Sequence, residues 1–100
     1  MSVATLLRPD DREDRDADRP AAPFAVVDIG SNSIRLVVYE RLCRAPIALF
    51  NEKSLCGLGA SLATTGRLGR EEIDCALRAL RRFAHIARAL RAREVEYVAT

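Results

Sequence analysis

The stretch Asp28-Ile29-Gly30-Ser31-Asn32-Ser33 stands between two apolar runs, Phe24 to Val27 and Ile34 to Tyr39, and limits what this chain can become more than any other segment. Short apolar runs on either side of a polar, glycine-bearing break predict two strands joined by a turn. Gly30 lacks a Cβ and tolerates positive φ, so such a turn can bring backbone N–H groups, with the side chains of Ser31, Asn32 and Ser33, close to a phosphate oxygen. Asp28, at the end of the first strand, would repel a polyanion. It makes chemical sense beside phosphate only with a hard cation such as Mg²⁺ between them, held partly through water. A plain hairpin with a Gly-Ser-Asn turn satisfies the same pattern without a ligand.

A chain of 100 residues, 49% of them apolar, provides for one small domain or part of a larger one. Its formal charge of +2 is too small to imply a nucleic-acid partner. Up to Pro23 four arginines face six carboxylates, a net −2, and the remainder carries +4, which suits anionic small molecules or polyanions. Cys43, Cys56 and Cys75 form an odd set without C-x-x-C spacing, so reduced thiols in a cytoplasmic protein are expected, not a disulfide framework or a zinc site. The apolar start, Val3 to Leu7, is short and runs into Arg8-Pro9-Asp10, unlike a secretory signal. No apolar run approaches the length needed to span a bilayer, so no membrane partner is expected.

Residues 1–23 hold a dense run of charge, Asp10 to Asp16, and prolines at 9, 20 and 23. They offer too little apolar surface to offset the entropy of ordering, and a disordered acidic leader is expected there. From Phe24 the character changes. Phe24 to Val27 is continuously apolar, as in a strand buried on both faces in the middle of a sheet. In the second strand Ile34, Leu36 and Val38 share one face, while Arg35, Val37 and Tyr39 share the other. Arg41 to Pro46 reads as the next turn and Ile47 to Leu55 as a third strand, giving an antiparallel meander. Between Gly57 and Gly69, four glycines with Ser61, Thr64 and Thr65 have the composition of a loop. Gly57-Leu58-Gly59 lacks the third glycine and the helix start of a dinucleotide fingerprint.

Arg70 to about Ala92 predicts an amphipathic helix, with Ile73, Leu77, Leu80, Ala84 and Ala87 as the stripe and Phe83, Ile86 and Leu90 widening it. Acidic Glu71, Glu72 and Asp74 open the helix, and Arg88, Arg91 and Arg93 lie near its end, the order that complements the helix dipole. Arg78, Arg81, Arg82 and Arg88 with His85 form a basic face, expected to be solvated. Glu94 to Thr100 alternates as a fourth strand.

The order strand, strand, strand, helix, strand, with the turn between the first two, resembles the ribonuclease H-like fold of the actin, Hsp70 and sugar-kinase superfamily. It corresponds to an incomplete α/β half-domain: a three-stranded meander, a helix, and a fourth strand parallel to the first, reached by a right-handed crossover. The segments Asp28 to Leu36, Gly57-Leu58-Gly59 through Thr65-Gly66-Arg67-Leu68, and Tyr97-Val98-Ala99-Thr100 together resemble the exopolyphosphatase and guanosine pentaphosphate phosphatase family, Ppx/GppA. The resemblance covers residues 24–100, as the N-terminal portion of that phosphatase domain.

It implies hydrolysis of terminal phosphate from polyphosphate or guanosine pentaphosphate, assisted by Mg²⁺ or another divalent cation, and a full-length form that can be homodimeric. On this resemblance Asp28 is the metal-side carboxylate, Gly30, Ser31, Asn32 and Ser33 are phosphate-loop groups, and Arg35 contacts a substrate phosphate. Leu55 and Cys56 depart from the basic or polar residues that many relatives carry there. The glutamate that orients the attacking water is expected beyond residue 100, which leaves the chain alone without turnover. Two other readings stay open: a sugar-kinase-like ATP-binding fragment, and a non-enzymatic actin-like or polyphosphate-binding module.

Overall fold

The computed structural model describes residues 22–99. The acidic leader up to residue 21 and Thr100 lie outside the described residues. Six elements follow in order: β1 (Phe24–Ile29), β2 (Ser33–Tyr39), β3 (Ala48–Leu55), α1 (Leu58–Thr65), α2 (Arg70–Ala89) and β4 (Glu94–Ala99). The sheet has the order β3-β2-β1-β4. β1 runs antiparallel to β2 and β2 antiparallel to β3, while β4 lies parallel to β1. The meander, the helix and the parallel fourth strand expected from the sequence are therefore what the chain forms, and β1, the most continuously apolar strand, is central.

Register assigns the two faces. Ala25 pairs with Val38, Val27 with Leu36 and Ile29 with Ile34. Period two then puts Ala25, Val27, Ile34, Leu36 and Val38 on one face, where all five are fully buried. The other face carries Val26, Asp28, Arg35, Val37 and Tyr39 and stays partly open to solvent.

α2 covers the first face on a stripe that overlaps the expected one, with Leu80, Phe83, Ile86 and Ala87 packed there, but in its first half Ala76 and Ala79 take the place of Ile73 and Leu77. Ala76, Ala79, Phe83 and Ala87 are buried, whereas Ile73 and Leu77 remain 37% and 44% exposed. Three alanines let the helix backbone approach the sheet closely, and Phe83, wholly buried, fills the space that remains. Proximity outweighs side-chain size in choosing the seated face.

The helix also ends earlier than its composition suggests. Arg91 takes a left-handed conformation, φ 59°. The Arg91 N–H donates to Arg88 O at 3.0 Å and the Ala92 N–H to Ala87 O at 2.9 Å. This is the paired capping pattern of a Schellman motif, with arginine where glycine is usual. The Arg93 N–H then donates to Pro23 O at 2.8 Å, which starts β4 alongside β1.

Two expectations are corrected. The stretch between Gly57 and Gly69 contains a helix, α1, and is not a loop throughout. Gly57 (φ 62°) and Gly66 (φ 72°) bracket it in the left-handed region, so these glycines delimit a helix built on Leu58, Ala60, Leu62 and Ala63. The cysteines are not all free thiols: Cys56, just after β3, and Cys75 on α2 form a disulfide with a Cα–Cα distance of 5.5 Å, and Cys43 alone is free. A separation of 19 residues carries no local motif, so the pairing emerges only when α2 folds back over the sheet.

Candidate functional site

The candidate site is the β1–β2 turn and the end of the open sheet face beside it. The Gly30 N–H donates to Ser33 O at 2.9 Å and so closes the turn. Gly30 serves by its lack of bulk: a Cβ there would stand 3.1 Å from Ser33 O, and no positive φ is used. That leaves the N–H groups of Ser31 and Asn32 without an acceptor among the described residues, and both residues are exposed. The side chains of Ser31, Asn32 and Ser33 are equally without hydrogen-bond partners there. Two unsatisfied N–H groups and two hydroxyls at one turn make a set of donors suited to an anion.

α1 supports this turn from behind. The Gly57 N–H donates to Asn32 O at 3.0 Å, and the Gly59 N–H to Ser31 O at 2.7 Å. The approach at Gly59 is so close that a Cβ there would lie 2.8 Å from Ser31 Cβ. The carbonyls of Ser31 and Asn32 are thus held by α1, and since a trans peptide sets N–H opposite C=O, the Asn32 N–H points away from α1. Gly59 is a close-approach position that composition disguised, because its neighbours make the segment look like a loop.

Across the open face, the register sets Lys53, Arg35, Asp28 and Val98 in one row on β3, β2, β1 and β4. Asp28 is exposed and its carboxylate makes no hydrogen bond or ion pair among the described residues. Arg35 stands opposite it, yet its Nη1 donates to Asn51 Oδ1 at 2.6 Å. Lys53 is exposed, and its ammonium likewise has no partner among the described residues. Like charges directly opposite one another on neighbouring strands are unfavourable, so the Arg35–Lys53 pair is a local cost to the sheet. Neither Lys53 nor Asn51 stood out in the sequence, since one more charged and one more polar residue on an edge strand are ordinary.

Other features lie elsewhere. Arg78, Arg81, His85 and Arg88 are exposed on α2's outer side, and Arg82 pairs with Glu52 of β3. A cavity of about 270 Å³ lined by Glu40, Arg41, Cys43, Ala45 and Ile47 sits where β2 passes into β3, at the other end of β2 from the turn. Among the described residues no three His, Cys, Asp or Glu side chains cluster in a way that could hold a metal ion. None of their helices is long and apolar enough to cross a membrane.

No family model matches the sequence, and no curated protein does. Solved structures do. An exopolyphosphatase from Cytophaga hutchinsonii is 32% identical, with a TM-score of 0.67 over 75% of this chain and 24% of its own. A PPX-GPPA enzyme from Aquifex aeolicus is 26% identical, with a TM-score of 0.72 over 80% of this chain and 27% of its own. This chain is Ppx/GppA-like. The fold is accordingly part of an actin and sugar-kinase-like architecture, and a type II variant of the Aquifex aeolicus Ppx/GppA phosphatase, at 23% identity and a TM-score of 0.73, shares it. The chain spans about a quarter of the length of these solved Ppx/GppA structures.

Proposed function

We propose that this Ppx/GppA-like chain supplies the first phosphate-binding wall of a phosphatase acting on terminal phosphate of polyphosphate, with guanosine pentaphosphate as the second substrate of the same chemistry. One observation carries the reading: the N–H groups of Ser31 and Asn32, without acceptors among the described residues, sit beside a row in which Asp28, Arg35 and Lys53 have no ion partner among those residues. Gly30 shapes the turn, and Ser31, Asn32 and Ser33 donate to a phosphate. Arg35 and Lys53 receive the negative charge of that phosphate or the next, and the anion relieves their mutual repulsion. The likeness to an exopolyphosphatase supports the substrate class.

A single exposed carboxylate without partners fits Mg²⁺, which keeps several waters and takes its remaining ligands from substrate phosphates. Asp28 would hold the ion, which when bound neutralises charge developing on the transferred phosphoryl group. Arg35, Lys53 and the turn do the positioning, and positioning is most of what phosphoryl transfer asks of a protein. In this reading the wall binds and orients the phosphate.

Titration of the chain with tripolyphosphate by calorimetry tests the reading. Binding is expected to need Mg²⁺ and to weaken about tenfold or more in Asp28→Ala, while phosphate release stays at background. Affinity indifferent both to Mg²⁺ and to Asp28→Ala would refute it.

A further inference from the structure

We propose that the Cys56–Cys75 disulfide is a reversible redox lock on the phosphate turn, an inference that rests on the turn's reading as an anion site. The covalent link closes a segment of chain that contains the whole of α1. α1 has no buried residue of its own. It is held by the Ser61 hydroxyl donating to Glu72 Oε1 at 2.9 Å, by Leu58 against the edge of the core, and by the two bonds from Gly57 and Gly59 to the turn. An element with so little burial opens easily, and tethers at its ends decide how often it does so.

Cys56 is the tether nearest the site, because it immediately precedes Gly57, whose N–H holds Asn32 O. With the disulfide intact, the backbone at Gly57 is anchored through Cys75 to α2, the most firmly packed helix. With it broken, that backbone is held by hydrogen bonds alone. Ser31 and Asn32 are then free to turn their carbonyls outward, where they would repel an anion.

The chemistry is available to a dithiol and its disulfide. Cys56 is buried and Cys75 is partly exposed, so a dithiol's thiolate attacks the Cys75 sulfur and expels Cys56 as the thiolate. The dithiol's second thiol resolves the mixed disulfide. Two electrons and two protons pass to the protein, the S–S bond becomes two thiols, and the reductant leaves as its own disulfide. A low-molecular-weight disulfide reverses the exchange. In the disulfide-bonded state Cys75 Sγ lies 3.8 Å from Leu55 O and Cys56 Sγ 3.7 Å from Ser54 Oγ, so the thiols that reduction creates have oxygen atoms close by.

The test uses the full chain with Cys43→Ser, which removes the free thiol, in oxidised form, after dithiothreitol, and as Cys75→Ser without reductant. Amide hydrogen exchange at Gly57 and Gly59 is read alongside tripolyphosphate binding. Exchange about tenfold faster at these two amides in both the reduced and Cys75→Ser forms, with α2 protection retained and reversal by oxidised glutathione, is the expected result. Weaker tripolyphosphate binding should accompany it. Unchanged exchange at Gly57 and Gly59 on reduction overturns the lock whatever the binding shows. Faster exchange with no form binding tripolyphosphate upholds the mechanical lock and defeats the anion-site reading instead.

Discussion

Replacing Gly59 by Ala sets two effects of known size against each other. In an α-helix, Ala is favoured over Gly by about 0.8–1 kcal/mol, so propensity alone predicts a more stable chain. Against that, the new Cβ would stand 2.8 Å from Ser31 Cβ and 3.4 Å from Ser31 O. Ser31 Cβ is fixed to the backbone and cannot rotate away, so the turn or α1 must shift, which costs about 1–3 kcal/mol in overpacking. A shift also stretches the 2.7 Å bond from the Gly59 N–H to Ser31 O, worth about another 1 kcal/mol. The net is a loss of about 1–3 kcal/mol, several degrees or more in melting temperature for a domain of this size. Because the strain falls on the turn, tripolyphosphate affinity should fall as well. Gly66→Ala is the control: at φ 72° it is strained, but its Cβ meets nothing within 4 Å, so it should lower stability and leave affinity alone. A higher melting temperature with unaltered binding in Gly59→Ala would show that helix propensity wins and that the close approach does not shape the turn.

Arg35→Ala should weaken tripolyphosphate binding about ten- to a hundredfold, the loss of one charge-assisted contact, with circular dichroism unchanged; unfolding with normal binding by the folded fraction would make Arg35 structural. Lys53→Glu should stabilise the ligand-free chain by about 0.2–1 kcal/mol, by replacing a like-charge pair opposite Arg35 with an opposite-charge one, while binding falls; denaturant midpoints and calorimetry measure both. Arg91→Gly should add about 1 kcal/mol of stability in a thermal melt, because arginine at φ 59° bears a steric cost that glycine does not. Phe83→Ala should remove about 3–5 kcal/mol, since its ring is the one large side chain of α2 that is wholly buried; a loss under about 1 kcal/mol would mean the alanine-lined face is not seated as described.

The fold was legible where one physical signal dominated. Phe24 to Val27 could only be central, and the change from alternating to helical periodicity located α2. The turn at Gly30 was legible because a polar break between two apolar runs has few other uses. α1 was hidden because glycine carries three meanings here: a left-handed start at Gly57, a close approach at Gly59 and a left-handed stop at Gly66. Composition averages these into a loop. In the first half of α2 the seated residues differ from the expected ones for a related reason, since hydropathy ranks Ile73 and Leu77 above Ala76 and Ala79 while packing distance ranks them below. The cysteine pair and the Lys53–Arg35 row depend on register and on the fold-back of α2, neither of which exists in one dimension.

These misses share a location. Gly59, Cys56, Lys53 and Asn51 all lie within one strand or one hydrogen bond of the turn or its row, and two of them, Gly59 and Lys53, depart from what local stability favours. A glycine lowers helix propensity, and two cations face each other across a ladder. Asp28 stands without a partner beside them. Sequences that fold well are locally consistent, and departures concentrated in one region signal a demand other than folding. Asp28 gives that demand its sign: a lone carboxylate beside two cations would ordinarily pair with one of them, yet Arg35 reaches to neutral Asn51 instead. The arrangement keeps both charge types available at once. A phosphate bound with its cation is a ligand that uses both.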